Sequence, residues 1–405
     1  MDIESLSSLE YTCIQDVLHG ARLNETTATA TLIGTVVERI ILSLDTGLQK
    51  TSVLAASLLL EHTKYPNGVS LVIIPPEASK NIDIIKKWTP LLTHVVLDAE
   101  NGVQGRNRKH IDILLDKANV VFISPLLLFS DDFVLVWNAK LKHKVKTLLI
   151  DESHLLSNPD TQSGYMLKYL SSHIDNLILL TATPGNTFRK FKFLCELCHE
   201  ETPYYSVSRK DLELEGKFNV LTKIFKENDL YQVYQKIDEP NRRRKYREHV
   251  PKDSPLLTDV LAYARALKGK TCIIYTNYLN AQDEIYAALK EAGYAVEKIN
   301  SSVPPNERTR IGQDIKYAKT QIVITTVTVA IDIPTTNLYL FGWCPDIVQL
   351  VGRMNREYRK KDITIRLALI DYESHKVKEE MWDSILLTEV TAKSSQLFHS
   401  ISQSF

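Results

Sequence analysis

Short apolar runs separated by helix-like segments dominate this sequence, and the pattern occurs twice along the chain. In the first half, Arg39–Leu44 and Val145–Ile150 are nearly continuous stretches of apolar residues, and Asn337–Phe341 has the same character in the second half. Consecutive rather than alternating apolar residues are typical of strands buried on both faces, as in a parallel sheet covered by helices. The sequence therefore predicts an α/β fold with two tandem domains, each a parallel sheet flanked by helices.

The other elements predicted from the sequence continue this alternation. The remaining strands are expected at 69–74, 94–97, 120–124, 176–180, 271–276, 295–299, 321–325 and 363–370. The clearest helical patterns cover 51–60, 81–88, 279–292 and 307–317. The segment between the two halves is more polar. We therefore expect domains over 1–189 and 256–405, joined by a linker or small helical insertion over 190–255.

Charge and composition limit the class of protein. The 405 residues contain 49 Lys+Arg and 49 Asp+Glu, so bulk positive charge cannot hold a nucleic acid, although a local basic groove can. Five Cys in a chain of this length are too few for a disulfide framework. The acidic start, with Asp2 and Glu4, does not resemble a signal peptide, and no apolar run reaches the ~18 residues of a spanning helix. We expect a soluble intracellular protein that binds no membrane.

A candidate phosphate-binding loop follows the first strand. Its residues are Asp45, Thr46, Gly47, Leu48, Gln49, Lys50 and Thr51. A tight turn that opens a helix presents backbone N–H groups and the positive end of the helix dipole to an anion. Lys50 would then reach the outer phosphates of a nucleotide, and the Thr51 hydroxyl would bind Mg²⁺. In isolation, however, a Lys–Thr pair after a strand is more often a surface turn.

The pattern GxxxxGK[ST] of phosphate-binding loops is incomplete here. Leu44 and Gln49 stand at its two Gly positions. Gln49 must therefore either adopt the loop conformation at an energetic cost or shift the loop.

Acidic and hydroxyl residues follow two other strands. Asp151 and Glu152 come directly after Val145–Ile150, at a strand end where α/β proteins bind ligands. Asp151 would hold Mg²⁺, directly or through water, and Glu152 would polarise an attacking water as general base. The alternative is a helix start that favours acids through its dipole alone. Thr181 ends the next strand, and its hydroxyl would hydrogen-bond the acidic loop.

Two arginines in the second half form a candidate anion clamp. Arg353 and Arg356 are spaced i and i+3, which places both guanidinium groups on one face of a helix. Two guanidinium groups on one face can bind an anion bidentately, although two solvated arginines are the simpler alternative for an isolated pair.

Taken in chain order, these motifs resemble those of superfamily 2 helicases and translocases over about residues 9–386. The set comprises the phosphate loop, Asp151-Glu152-Ser153-His154, Thr181-Ala182-Thr183, Ala330-Ile331-Asp332-Ile333-Pro334 and Gln349-x-x-Gly352-Arg353-x-x-Arg356. The similarity extends to the Swi/Snf-type branch, whose GLGKT motif is similar to Gly47-Leu48-x-Lys50-Thr51. The chain looks like a minimal form, similar to viral or phage DNA-dependent ATPases.

The resemblance implies two RecA-like domains with ATP and Mg²⁺ in the cleft between them. Residues 46–51 would bind the phosphates, Thr51 and Asp151 would bind the metal, and Glu152 would activate water. Arg353 and Arg356 would act as arginine fingers. Gln349 would contact the phosphate region or bound water, and Gln15 would contact adenine.

The resemblance also implies a track of nucleic acid. Its candidate contacts, mostly to the sugar–phosphate backbone and so indifferent to base sequence, are Pro75, Thr181, Asn277, Thr325 and Thr326. The expected function is an ATP-dependent motor, a DNA helicase or double-strand DNA translocase of replication, recombination or repair, with other proteins of those processes as partners. No oligomer is implied. An ATPase-impaired binding module on the same fold and an RNA helicase are the alternatives.

Overall fold

The computed structural model describes residues 25–45, 47–97, 115–184, 187–198, 204–209, 211–212, 216–226, 254–328, 333–342, 344, 346–354 and 361–371. The chain divides into two compact units, Met1–Ser208 and Arg209–Phe405, and each contains one parallel sheet. The predicted fold class, α/β with two parallel sheets flanked by helices, is confirmed.

Seven described strands form the sheet of the first unit. They are β1 (Arg39–Leu44), β2 (Val69–Ile73), β3 (His94–Leu97), β4 (Val120–Ile123), β5 (Val145–Ile150), β6 (Asn176–Thr181) and β7 (Tyr204–Val207). They lie in the order β3-β4-β2-β5-β6-β1-β7, and every neighbouring pair is parallel. Because β5, β6 and β1 are direct neighbours, their carboxyl ends meet at one edge of the sheet.

Helices lie before or between most of these strands along the chain. They are α1 (Glu25–Val36), α2 (Lys50–Lys64), α3 (Lys80–Trp88), α4 (Asp131–Val136), α5 (Gln162–Ser171) and α6 (Phe188–Leu197). Short 3₁₀ turns cover Pro76–Ala78, Pro125–Leu127 and Ser153–Leu156, and a π-helical turn, Trp137–Leu141, follows α4. The described helices include none that is both long and apolar enough to cross a membrane.

The continuous apolar runs behave as expected for central strands. Every residue of β2, β4 and β6 is buried, as are the last five residues of β1. Because both faces of these strands are buried, apolar and polar residues do not alternate along them. The continuous apolar runs also allowed the bounds of these strands to be predicted to within one residue.

Polar side chains, all buried except the half-buried Arg39, tie the amino-terminal parts of these strands to the helices. The Arg39 guanidinium donates to the carbonyl oxygens of Leu197, Ser171 and Ile174 at 2.6–2.8 Å, so it caps the ends of α5 and α6. The Glu61 carboxyl on α2 accepts hydrogen bonds from Thr147 on β5 and Asn176 on β6. These contacts fix α2 against the two strands that lead to the acidic pair and to Thr181.

The second unit has a sheet of six described strands. They are β8 (Phe218–Lys226), β9 (Cys272–Thr276), β10 (Val296–Ile299), β11 (Ile322–Thr325), β12 (Asn337–Phe341) and β13 (Ile363–Asp371). Their order is β10-β11-β9-β12-β13-β8, again entirely parallel. The described helices of this unit are α7 (Pro255–Ala266), α8 (Leu279–Glu291), α9 (Pro305–Lys316) and α10 (Ile347–Met354).

The segment 190–255, predicted as a linker or small helical insertion, supplies a strand to each sheet in its described part. β7 pairs with β1, and β8 pairs with β13 over all nine of its residues. Both are edge strands with partly exposed, mixed polar and apolar side chains. That mixture is what made the segment resemble a non-strand region, because an edge strand needs no continuous apolar run.

A buried acidic residue joins the edge strand β8 to the rest of the second unit. Asp259 on α7 accepts hydrogen bonds from Lys223 on β8, Tyr339 on β12 and Arg366 on β13, at 3.0, 2.9 and 2.9 Å. Burial alone would raise the pKa of Asp259, but hydrogen bonds from Arg366, Lys223 and Tyr339 lower it below the ordinary value. The carboxylate is therefore a charged link between one helix and three strands.

Candidate functional site

The predicted phosphate loop forms the connection between β1 and α2. Asp45 is buried, and its backbone N–H donates to the Val207 carbonyl oxygen on β7 at 3.1 Å. The Leu48 N–H donates back to the Asp45 carbonyl oxygen at 3.1 Å, which closes a tight turn around Gly47 at φ 86°. α2 then begins at Lys50 with no side-chain cap. The N–H groups of Lys50 and Thr51 precede the first hydrogen bonds of the helix, which run from the Ser52 and Val53 N–H groups to the Gln49 carbonyl oxygen. This helix start can therefore bind an anion.

Gln49 occupies a left-handed backbone conformation, at φ 58° and ψ 38°. Of the two outcomes that the sequence left open, Gln49 therefore takes the first and adopts a conformation that favours Gly. Its side-chain oxygen is buried, and no described residue donates a hydrogen bond to it. The loop therefore keeps its turn, but the Gln49 backbone is strained and its side-chain oxygen is a buried hydrogen-bond acceptor.

The Lys50 ammonium lies between the phosphate loop and the acidic strand end. Lys50 Nζ is 3.9 Å from Glu152 Oε1 and donates to the Leu44 carbonyl oxygen at 3.4 Å. Both side chains of the ion pair are nearly buried, 10% and 5% exposed. The separation is long for a charge-assisted hydrogen bond, so the ammonium remains able to turn towards an anion at the helix start. Thr51, the next residue of α2, is half-buried.

Asp151 and Glu152 form a buried acidic pair at the carboxyl end of β5. The Asp151 N–H extends the sheet by donating to the Ile73 carbonyl oxygen on β2 at 3.0 Å. Glu152 then turns into the left-handed region at φ 51°, and its N–H donates to Asp151 Oδ1 at 3.0 Å. Burial and the neighbouring Glu152 raise the pKa of Asp151 to about 6, while Lys50 opposes the rise. The pair therefore has negative charge that Lys50 compensates only in part.

His154 links the acidic pair to the end of β6. Its Nδ1 is 3.1 Å from the Thr181 hydroxyl and 3.4 Å from Glu152 Oε2. Thr181 Oγ1 also donates to the Thr183 carbonyl oxygen at 2.6 Å and accepts from the Thr183 N–H at 3.1 Å. The expected contact between Thr181 and the acidic loop is thus made through His154, a residue to which the sequence gave no role.

Asn81, a residue outside the predicted motifs, also contacts the acidic pair. Its Nδ2 donates to Asp151 Oδ2 at 3.3 Å. Asn81 lies in the second position of α3, which follows β2 through Pro75 and the turn Pro76–Ala78. The sequence placed Pro75, which precedes this helix, on the predicted nucleic-acid track, and it gave no signal of the contact between Asn81 and Asp151. Pro75 is buried at the carboxyl end of β2.

The donor set of the first unit fits Mg²⁺ bound together with phosphates. Among the described residues, no group of three or more His, Cys, Asp or Glu is arranged to hold a metal ion. Mg²⁺ is usually bound through one or two carboxylates together with substrate phosphates and water, and does not need a cage of protein ligands. Asp151, with its incompletely compensated charge, and the Thr51 hydroxyl provide such a sparse oxygen set.

In the second unit, the predicted nucleic-acid contacts lie at the carboxyl ends of β9 and β11. Thr325 Oγ1 donates to the Val327 carbonyl oxygen at 2.8 Å and accepts the Val327 N–H at 3.1 Å, the same pattern that Thr181 makes in the first unit. The Thr326 N–H donates to the Ile299 carbonyl oxygen at 3.1 Å, and Asn277 Oδ1 accepts from the Tyr275 hydroxyl at 2.7 Å. The three residues thus occur at one edge of one sheet.

Gln349 and Arg353 lie on α10 in the same unit. They are spaced i and i+4, share one face of the helix and are 0% and 8% exposed. Arg353 is therefore not the solvated surface residue that the simpler interpretation of the sequence predicted. Gln15, Thr46 and Arg356, also predicted as site residues, lie outside the described residues.

One family model and one solved structure are similar to this chain. Residues 25–191 match the family model of the DEAD/DEAH box helicases. Among solved structures, the chain is similar to the crystal structure of the DUF1998 helicase MrfA bound to DNA, with a TM-score of 0.60 and 13% sequence identity. The match covers 91% of this chain and 52% of that chain, so this chain spans about half the length of that structure. No curated protein matches the sequence.

Proposed function

We propose that this chain is an ATP-dependent nucleic-acid motor of helicase superfamily 2, with DNA favoured over RNA as its track. The observation that carries the proposal is the Lys50 ammonium 3.9 Å from Glu152 Oε1, beside an uncapped helix start. The DEAD/DEAH box match over residues 25–191 supports the same conclusion. Two further points favour DNA: the similar solved helicase is bound to DNA, and Gly47-Leu48-x-Lys50-Thr51 resembles the motif of the Swi/Snf-like branch.

In the proposed mechanism, the residues of the first unit divide into anion-binding and base roles. The N–H groups at the start of α2 and the Lys50 ammonium bind the phosphates, which draws Lys50 away from Glu152. Glu152 then holds the attacking water and accepts its proton. Thr51 and Asp151 would hold Mg²⁺, which when bound neutralises charge on the outer phosphates. The contributions of Gln15, Gln349, Arg353 and Arg356, and the minimal form of the motor, stay predictions.

A titration of ATP hydrolysis against nucleic acids tests this function. We expect single-stranded, duplex or forked DNA to raise the rate of ATP hydrolysis by the full chain at least tenfold, and RNA to raise it less. The Lys50→Ala variant serves as a control, because loss of the phosphate-binding ammonium should remove both the basal and the stimulated rates. Equal hydrolysis with and without every nucleic acid would contradict a motor, and greater stimulation by RNA would favour an RNA helicase.

An ATPase-impaired binding module is a second candidate, and Gln49 is the observation that favours it. A residue with a side chain in the left-handed region costs roughly 1–2 kcal/mol, and the buried Gln49 oxygen adds an acceptor close to where phosphate oxygens would bind. In this case the chain would keep the fold and bind nucleic acid or a protein without turning over ATP.

Replacing Gln49 separates these two functions. We expect Gln49→Gly to hydrolyse ATP within about threefold of the wild-type rate, because Gln49 already follows the backbone path that Gly favours. Gln49→Val should lower the free energy of unfolding by roughly 1–2 kcal/mol, since a β-branched residue fits this conformation poorly. Steady-state kinetics and urea unfolding measure both effects. A gain of more than tenfold in Gln49→Gly would show that the native loop is impaired.

A further inference from the structure

Both oxygens of the Asp151 carboxylate are engaged by nitrogen donors from different parts of the first unit. Oδ1 accepts the Glu152 N–H at 3.0 Å, within the same loop. Oδ2 accepts from the Asn81 side-chain amide at 3.3 Å, across 70 positions of sequence. A carboxylate offers about four lone pairs, so two hydrogen bonds fix its rotation and leave lone pairs for a cation or its water.

The Asn81 amide is well placed to hold its partner. It is half-buried in the first turn of α3, and Ile85, one turn later, is completely buried and anchors the helix. The amide nitrogen can only donate hydrogen bonds, so the contact orients the carboxylate without competing with it for a cation. A lysine at the same place would neutralise Asp151 and weaken its attraction for a metal ion.

We propose that Asn81 is a positioning residue for Mg²⁺: its amide holds the Asp151 carboxylate in the orientation that binds the ion. This inference rests on the proposed function, because it concerns the metal of the same nucleotide site. Partners that orient metal ligands typically contribute about 10- to 100-fold to metal affinity or activity. Asn81 would therefore act through Asp151 without touching the nucleotide.

The test is calorimetric titration of Mg²⁺ into the full chain saturated with a non-hydrolysable ATP analogue. We expect Asn81→Leu, which keeps the side-chain size but removes the donor, to raise the Mg²⁺ concentration at half-saturation at least tenfold. The affinity for the analogue in EDTA should stay at the wild-type value, whereas general damage to the site would lower both affinities. Asn81→Gln, which keeps an amide on a longer side chain, should recover part of the loss.

Ile84→Ala is the matched control, since Ile84 is 39% exposed on the same helix. Its Mg²⁺ affinity should equal that of the wild type. If the Mg²⁺ concentration at half-saturation for Asn81→Leu is within twofold of the wild-type value, the proposed role of Asn81 is overturned and the proposed function still stands. A wild-type chain that binds no analogue with Mg²⁺ would overturn both.

Discussion

Replacing Glu152 with Gln is expected to lower the turnover number for ATP by about 10²- to 10⁴-fold, the range that a positioned general base contributes. Gln keeps the size of the side chain but cannot accept the proton of the attacking water. Because Glu152 also lies 3.9 Å from the Lys50 ammonium, its replacement releases Lys50 towards the phosphates. We therefore expect ATP to bind as tightly as in the wild type or more tightly, while hydrolysis is lost.

Equilibrium binding of labelled ATP, measured beside steady-state kinetics, distinguishes this role from simple damage to the site. Glu196→Gln is the control, because the Glu196 carboxylate is 59% exposed on α6 and should leave both quantities unchanged. Turnover by Glu152→Gln within tenfold of wild type would contradict the assignment of Glu152 as general base. Loss of ATP binding together with turnover would instead point to a structural role for the buried carboxylate.

Removing the Asp259 carboxylate should produce the largest loss of stability that we predict. Asp259→Ala leaves the Arg366 guanidinium, 25% exposed, and the Tyr339 hydroxyl without their common acceptor. Losing one partner of a buried ion pair typically costs 3–5 kcal/mol, but Lys223 is 48% exposed and contributes less. We expect the free energy of unfolding of the second unit to fall by about 3 kcal/mol.

Urea unfolding of the full chain, followed by circular dichroism, measures this change. Asp283→Ala is the matched control, because its ion pair with Lys298 is largely exposed and should contribute less than about 1 kcal/mol. A midpoint shift no larger than that of the control would show that Asp259 does not stabilise the sheet.

The acid dependence of the Asp259 network has a definite sign. The folded-state pKa of Asp259 lies below its ordinary value. The charged Asp259 carboxylate therefore contributes its full stabilisation of the fold at pH above the ordinary pKa, and this stabilisation is lost as the pH falls through the folded-state pKa. The difference in the free energy of unfolding between the wild-type protein and Asp259→Ala should therefore shrink in acid.

The relation between sequence and fold differs between central and edge strands. β5 and β6 are completely or almost completely buried, so selection for apolar side chains extends to both faces, and their bounds are readable from the sequence. Among the described strands, β7 and β8 lie at sheet edges and have partly exposed faces, so their polar residues make them hard to recognise as strands in the sequence. The strands in the segment 190–255 were accordingly the part of the described fold that was hardest to predict from the sequence.

Local sequence also determined most of the candidate site in the first unit. Strand ends and a helix start are local features, so the sequence placed Lys50 after one strand and Asp151 and Glu152 after another. The fold then brings these strand ends to one edge of the sheet. Gln49 adopts the left-handed backbone that the loop needs, at a cost of roughly 1–2 kcal/mol. Because that cost is small, the sequence did not show whether the loop would keep this path or shift.

The contacts that orient these groups were decided by tertiary structure alone. Asn81 meets Asp151 across 70 positions, and Arg366 meets Asp259 across 107, and neither pair has a sequence pattern that marks it. Periodicity records which residues are buried, whereas a hydrogen bond between distant side chains depends on how the packed helices and strands bring them together. The sequence thus determined which site residues lie at the strand ends and the helix start, and only the tertiary structure determined which distant side chains hydrogen-bond to them.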